Sequence, residues 1–297
     1  MKKLIIIIFL FVASVSFAQN ENLFERLQAI NNSGITFYDV DGYIIASKTL
    51  EYKFTKKGLK KVYRKYSIKK KDDKTKDTLL KYNNYYVSNT DKLTDSLTQY
   101  NSYYFVENEK NRVTIIQFGS INKSDREFER KFTNLILNKE IPKKCFNPMV
   151  IDSINFAGRK IKLGSSCQWT NVNTVQCPYY GEMNWSVHKD LKDAENTVEQ
   201  QFEITKSRKS GKIISEKIVE IEFEGTETKA KKIIYDFTGV TSLLAGMSGG
   251  KTLTIYYVAT EVRNNYVSCV LSFWNNDTIT ENGIAPLLEK VMKIKKN

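Results

Sequence analysis

The chain has 297 residues, with 46 Lys and Arg against 33 Asp and Glu, a net charge of +13 and a single histidine. One imidazole confines every histidine-dependent mechanism to His188, which counts against an enzyme. The lysines fall in short groups, at 56–61, 69–71 and 293–296, with no arginine-rich helix and no nucleic-acid motif, so nucleic acid is not an expected partner.

The N-terminus opens with Lys2 and Lys3, runs apolar from Leu4 to Val15 and places Ser16 and Ala18 around Phe17. This pattern predicts a secretory signal peptide cleaved after Ala18, the run being too short for an ordinary membrane span. The mature chain is then periplasmic or extracellular, without a transmembrane segment. Losing two lysines leaves it at +11, which reads as a solvated lysine-rich surface or, alternatively, as one suited to an envelope protein, a polysaccharide or an anionic surface. Seventeen Tyr and sixteen Phe favour sheet.

In chain order, Leu23, Phe24, Leu27 and Ile30 predict a short helix over 21–31, stopped at Gly34. Residues 35–40 and 43–46 flank Asp41-Gly42, a two-residue hairpin signal. Asp39 and Asp41 resemble part of a calcium loop, but Lys48 stands where the bidentate Glu belongs. Residues 49–68 carry both a strand alternation (Leu50, Tyr52, Phe54) and a helical stripe (Leu59, Val62, Tyr63, Tyr66), and are read as helix; 69–76 is a polar loop. Tyr82–Val87 is echoed by Tyr100–Phe105, two strands whose tyrosines form cross-strand pairs or, alternatively, a platform for sugar rings. A strand over 112–118 follows, then a capping box at Ser124–Glu127 and a helix that ends before Pro142.

The second half retraces this order. Ser153–Gly158 resembles Ala29–Gly34, and the strand 266–273 with a terminal helix striped by Leu287, Leu288, Val291 and Met292 mirrors 112–118 and its helix. Between them lie a helix over 190–206, strands 219–223 and 229–237 with acid facing base across a turn near Gly225, and a strand over 252–262. The expected fold class is α+β: two tandem, duplicated units, each an antiparallel sheet with a helix after the first hairpin and a C-terminal helix. The boundaries are 1–18 leader, 19–140 first unit, and 141–297 second unit with a disulfide-bearing insertion near 164–188.

That insertion gathers rare side chains: Cys167, Trp169, Cys177, Tyr179, Tyr180, Trp185 and His188. In an exported chain Cys167 and Cys177 predict a disulfide closing a short loop, and Cys145 with Cys269 a second bridge or a buried free thiol. A stiff loop presenting Trp169, Tyr179, Tyr180, Trp185 and His188 makes a good contact site, and the alternative is a local mini-core. Other chemistry fares worse. Ala245–Thr252 satisfies a relaxed phosphate-loop pattern but is followed by a strand, not a helix. Spacings of ten and eleven for Cys167, Cys177 and His188 match no common zinc module, so neither metal nor cofactor is expected. No serine sits in a nucleophile elbow. The expected function is an exported, non-enzymatic envelope protein that binds a partner or ligand through this loop. The alternative is a hydrolase of an envelope polymer using carboxylates or His188.

Overall fold

A computed structural model describes residues 23–239 and 250–295. The leader and its cleavage point, residues 245–249 of the phosphate-loop-like motif, and Lys296 lie outside the described residues. The first sheet contains β1 (Gln28–Asn32), β2 (Ile35–Val40), β3 (Tyr43–Lys53), β4 (Asn84–Lys92), β5 (Thr98–Glu107), β6 (Arg112–Ile121) and β7 (Phe146–Asn147), in the order β4-β5-β6-β3-β2-β1-β7. A separate hairpin pairs β8 (Ser153–Phe156) with β9 (Arg159–Lys162). The second sheet contains β10 (Gln168–Asn171), β11 (Thr174–Cys177), β12 (Gly181–His188), β13 (Gly211–Phe223), β14 (Thr226–Phe237), β15 (Thr252–Val262), β16 (Asn265–Trp274) and β17 (Met292–Ile294), in the order β10-β11-β12-β16-β15-β14-β13-β17. The helices are α1 (Lys56–Lys65), α2 (Arg126–Leu137), α3 (Leu191–Ser207) and the single turn α4 (Pro286–Glu289). The fold is mixed α+β with antiparallel sheets, and among the described residues no helix is long and apolar enough to cross a membrane.

The two sheets share a winding. Three up-and-down strands are followed by a helix, and the returning strands end with one that pairs with the third: β6 on β3 in the first sheet, β16 on β12 in the second. The local echo follows a different correspondence. Ser33-Gly34 turns β1 into β2 inside the first sheet, whereas Ala157-Gly158 turns β8 into β9 outside the second. The segment read as an insertion supplies β10, β11 and β12, and β12 lies inside the sheet between β11 and β16.

Several local expectations are corrected. The helix over 21–31 shrinks to a single α-helical turn at 23–26, and Gln28–Asn32 is β1. Ser33 and Gly34 have φ of 50° and 77°, the positive pair a type I′ hairpin turn requires, so Gly34 turns a hairpin and does not stop a helix. Residues 49–68 obey both of their periodicities in succession, β3 to Lys53 and then α1, with the Thr55 side chain accepting from the Gly58 amide as N-cap. Asp125, not Ser124, caps α2, its carboxylate accepting from the Glu127 and Phe128 amides. The terminal helix stops at Glu289, and Met292 lies in β17 against Phe223.

Each sheet is covered on both faces. In the first, Phe132 and Leu135 of α2 pack on Tyr38, Tyr104 and Phe118, while Leu59 and Val62 of α1 pack on Phe105 and Ile115 from the other side. The tyrosine echo forms cross-strand pairs, with Tyr86 opposite Tyr104 and their ring centroids 5.0 Å apart. In the second sheet Met183, Trp185, Val187 and Cys269 face β8–β9 and α4, while Phe202 of α3 packs on Ile233 and Tyr257. Glu220 faces Lys229 across the hairpin turned at Glu224-Gly225, as acid opposite base predicts.

The halves meet at a buried polar joint. Asp39 on β2 is 3% exposed, accepting from the Ser186 hydroxyl at 2.8 Å and the Asn173 amide at 3.1 Å. Gln28 of β1 donates to the Trp185 carbonyl at 3.2 Å. Burial pushes the Asp39 carboxyl from its ordinary value near 3.8 to about 7, despite the Ser186 bond that holds it down.

Candidate functional site

The register Gln168–Gln176 puts Cys167 opposite Cys177, and their sulfurs are bonded. The bond clamps the β10–β11 hairpin and removes both thiolates from metal chemistry. Among the described residues no group of three His, Cys, Asp or Glu is placed to hold a metal ion. Of the two readings of Cys145 and Cys269 the buried free thiol is the one found: both are free thiols buried in different cores, Cys145 beneath the first sheet and Cys269 within the second. Burial pushes the Cys145 thiol up to about 11 and raises that of Cys269 as well.

Of the aromatic candidates, Trp185 is 1% exposed, wedged between Phe156 and Trp169 with ring centroids 5.6 and 5.9 Å away. His188 is buried, its Nε2 2.8 Å from the Ser268 hydroxyl and its Nδ1 without a partner. Burial lowers its pKa to about 4, so the ring is neutral near pH 7. These two side chains form core, as the mini-core alternative expects, and neither reaches the surface. Alternation explains why: Trp185 and His188 point to opposite faces of β12, and both faces are covered. Trp169 is half-buried. Its Nε1 donates to the Pro148 carbonyl at 2.9 Å, and it borders a groove of about 270 Å³ shared with Ile30, Phe37 and Met149.

Tyr179 and Tyr180 are the exposed pair, at 62% and 45%. They occupy the turn between β11 and β12, which is fixed at several points. The Tyr180 amide donates to the Cys177 carbonyl at 2.8 Å, the Tyr179 carbonyl accepts from Thr278, and the Tyr180 carbonyl accepts from Leu287 at the start of α4. Gly181 closes the turn at φ +102°, where a Cβ would lie 2.7 Å from a Leu288 methyl. Tyr179 itself has φ +65°, a left-handed conformation that a bulky side chain seldom adopts.

Beside this turn lies a recess of about 110 Å³ walled by Pro178, Tyr179, Leu253 and Trp274, with Glu182 and Asp277 facing in. Glu182 is half-buried, and no hydrogen bond or ion pair engages its carboxylate among the described residues; burial raises its pKa. Burial raises that of Asp277 too, opposed by the Trp274 amide it accepts from at 2.8 Å. Two partly desolvated carboxyl groups thus line one recess in a strongly basic chain. Sequence reasoning missed Glu182, Trp274 and Asp277. Glu182 reads as one alternating position of a strand, and Asp277 is brought to it only by the pairing of β12 with β16.

No family model matches the chain, and no curated protein matches it. Among solved structures the chain is similar to the di-domain ARO/CYC BexL from the BE-7585A biosynthetic pathway, at 11% identity, over 73% of this chain and 72% of that one, with a TM-score of 0.15. A likeness of that size carries no argument.

Proposed function

We propose that the protein is an exported, non-enzymatic envelope protein that docks a partner protein on the Tyr179–Tyr180 turn. The observation that carries this reading is the fixed display of two adjacent exposed phenol rings on a strained turn. Aromatics on rigid backbone bury large area at little entropic cost. The recess beside them is far below the roughly 300 Å³ at which small-molecule sites begin, and its volume of about 110 Å³ suits one projecting side chain. Glu182, which no basic side chain engages among the described residues, and Asp277 both line the recess, so the partner inserts a lysine or arginine beside them. Export rests on the leader pattern, and descent from a duplicated unit rests on the common winding of the two sheets.

A photo-crosslinking residue at position 180, used in the native envelope, tests the reading. A discrete crosslinked species that Glu182→Gln and Tyr179→Gly each diminish supports it. Crosslinking indifferent to both substitutions, or found only in the cytoplasmic fraction, rejects it.

A further inference from the structure

The first half contains a larger and chemically different feature. A groove of about 690 Å³ runs between α1 and the loop that follows it, floored by Phe54, Leu59, Tyr63, Ile68 and Tyr85. Its volume falls within the roughly 300–1,000 Å³ of small-ligand sites. Its rim is cationic: Lys56, Lys60 and Arg64 from α1, and Lys69, Lys70 and Lys76 from the loop. No carboxylate lines it. Among the described residues none of these six side chains is engaged in an ion pair or a side-chain hydrogen bond.

A seventh cation, Lys74, has a structural task. Its ammonium donates to the carbonyls of Lys69, Lys70 and Asp72 and lies 5.7 Å over the Tyr63 ring, which folds the loop back against α1. The loop is anchored beyond that point by Asp77, buried against Arg126 and Arg130 of α2. The groove is therefore a built feature. Six uncompensated cations around an aromatic and aliphatic floor leave a concentrated positive field, which an anion joined to an apolar body neutralises while covering the floor.

We infer that this groove binds one molecule of a single-chain anionic amphiphile, its aliphatic tail on Phe54, Tyr63 and Tyr85 and its carboxylate or phosphate head among Lys60, Arg64 and Lys70. The inference stands independently of the partner site, which lies in the other half.

The probe is 11-(dansylamino)undecanoic acid, added to the purified mature chain below its micellar concentration and followed by the blue shift of its emission. Binding is expected, with displacement by palmitate or by monomeric lysophosphatidylglycerol; the better competitor identifies the carboxylate or the phosphate head. Lys60→Glu with Arg64→Glu, both exposed positions, weakens binding about tenfold or more, the change that losing one charge-assisted contact brings. Lys57→Glu with Lys65→Glu, on the same helix but off the groove, changes net charge equally and leaves binding within about twofold. Circular dichroism confirms that each pair folds. Equal loss in both pairs, displacement by inorganic phosphate as effective as by palmitate, or binding only to phosphatidylglycerol vesicles and never to the monomeric probe overturns the inference.

Discussion

Replacing Asp39 by Asn tests the joint between the halves through pH. The carboxyl titrates near 3.8 when unfolded and near 7 when folded, so folded protein holds a proton that unfolded protein has released between those values. Stability therefore falls as pH rises from about 4 to about 7. Roughly three pH units at about 1.4 kcal/mol each amount to about 4 kcal/mol, all of it lost above pH 7. His188 acts in the opposite sense. Its folded pKa is lowered from 6.5 to about 4, so stability falls as pH drops through that window, by about 3 kcal/mol. The two slopes oppose each other between about pH 4 and 6.5. An Asn at 39 can donate to the Ser186 hydroxyl and accept from the Asn173 amide without titrating. Urea denaturation of Asp39→Asn and wild type, followed by tryptophan fluorescence from pH 4 to 8, should show the difference moving about 4 kcal/mol in the variant's favour with rising pH. The variant should also lose more stability than the native chain on acidification, because His188 is then unopposed by Asp39. A difference that does not change with pH would refute the buried, protonated Asp39.

Other outcomes follow from the same contacts. Cys167→Ser with Cys177→Ser should lower unfolding free energy by about 3 kcal/mol, the closure entropy of a loop of this length, read by denaturant melts with and without reductant. Thiol titration of the native protein should find no reactive cysteine and titration in denaturant two, Cys145 and Cys269; four would disprove the bridge. Tyr179→Gly should leave melting unchanged or raise it slightly, because relief of a left-handed tyrosine, about 1–2 kcal/mol, offsets the extra chain entropy of glycine. Asp77→Ala should destabilise by about 1–2 kcal/mol, since it removes the acceptor of Arg126, Arg130 and the Leu79 amide while leaving two partly exposed arginines that water can solvate.

Much of the sheet framework was legible because strand signals are local. Asp41-Gly42 turns β2 into β3, and Val267, Cys269, Leu271 and Phe273 share one buried face as their alternation requires. What failed was decided at a distance. Leu23, Leu27 and Ile30 satisfy helical spacing, yet residues 28–32 are drawn into β1 by β2 on one side and by β7, more than a hundred residues later, on the other. Met292 sits on a helical stripe but pairs with Phe223. The candidate site was legible in part. Sequence located the disulfide and the exposed tyrosines, but not that β12 is covered on both sides, which removes Trp185 and His188 from the surface. The lysines of 56–76 read as a solvated charge run, because their arrangement as a rim depends on Lys74 folding the loop back on α1.

The Asp39–Ser186 contact spans 147 residues of chain, which has a consequence for the order in which the molecule is made. A chain that emerges N-terminus first presents Asp39 long before Asn173 and Ser186 exist. Until they arrive, water must solvate the carboxylate, and β2 keeps an open polar spot on an otherwise closing sheet. The first half can gather its own core around α2, but completion waits for the second, and contacts of such long range form slowly. During that interval the spot on β2 stays open to water, and the late docking of β12, which brings Ser186 to Asp39, is the step that closes it.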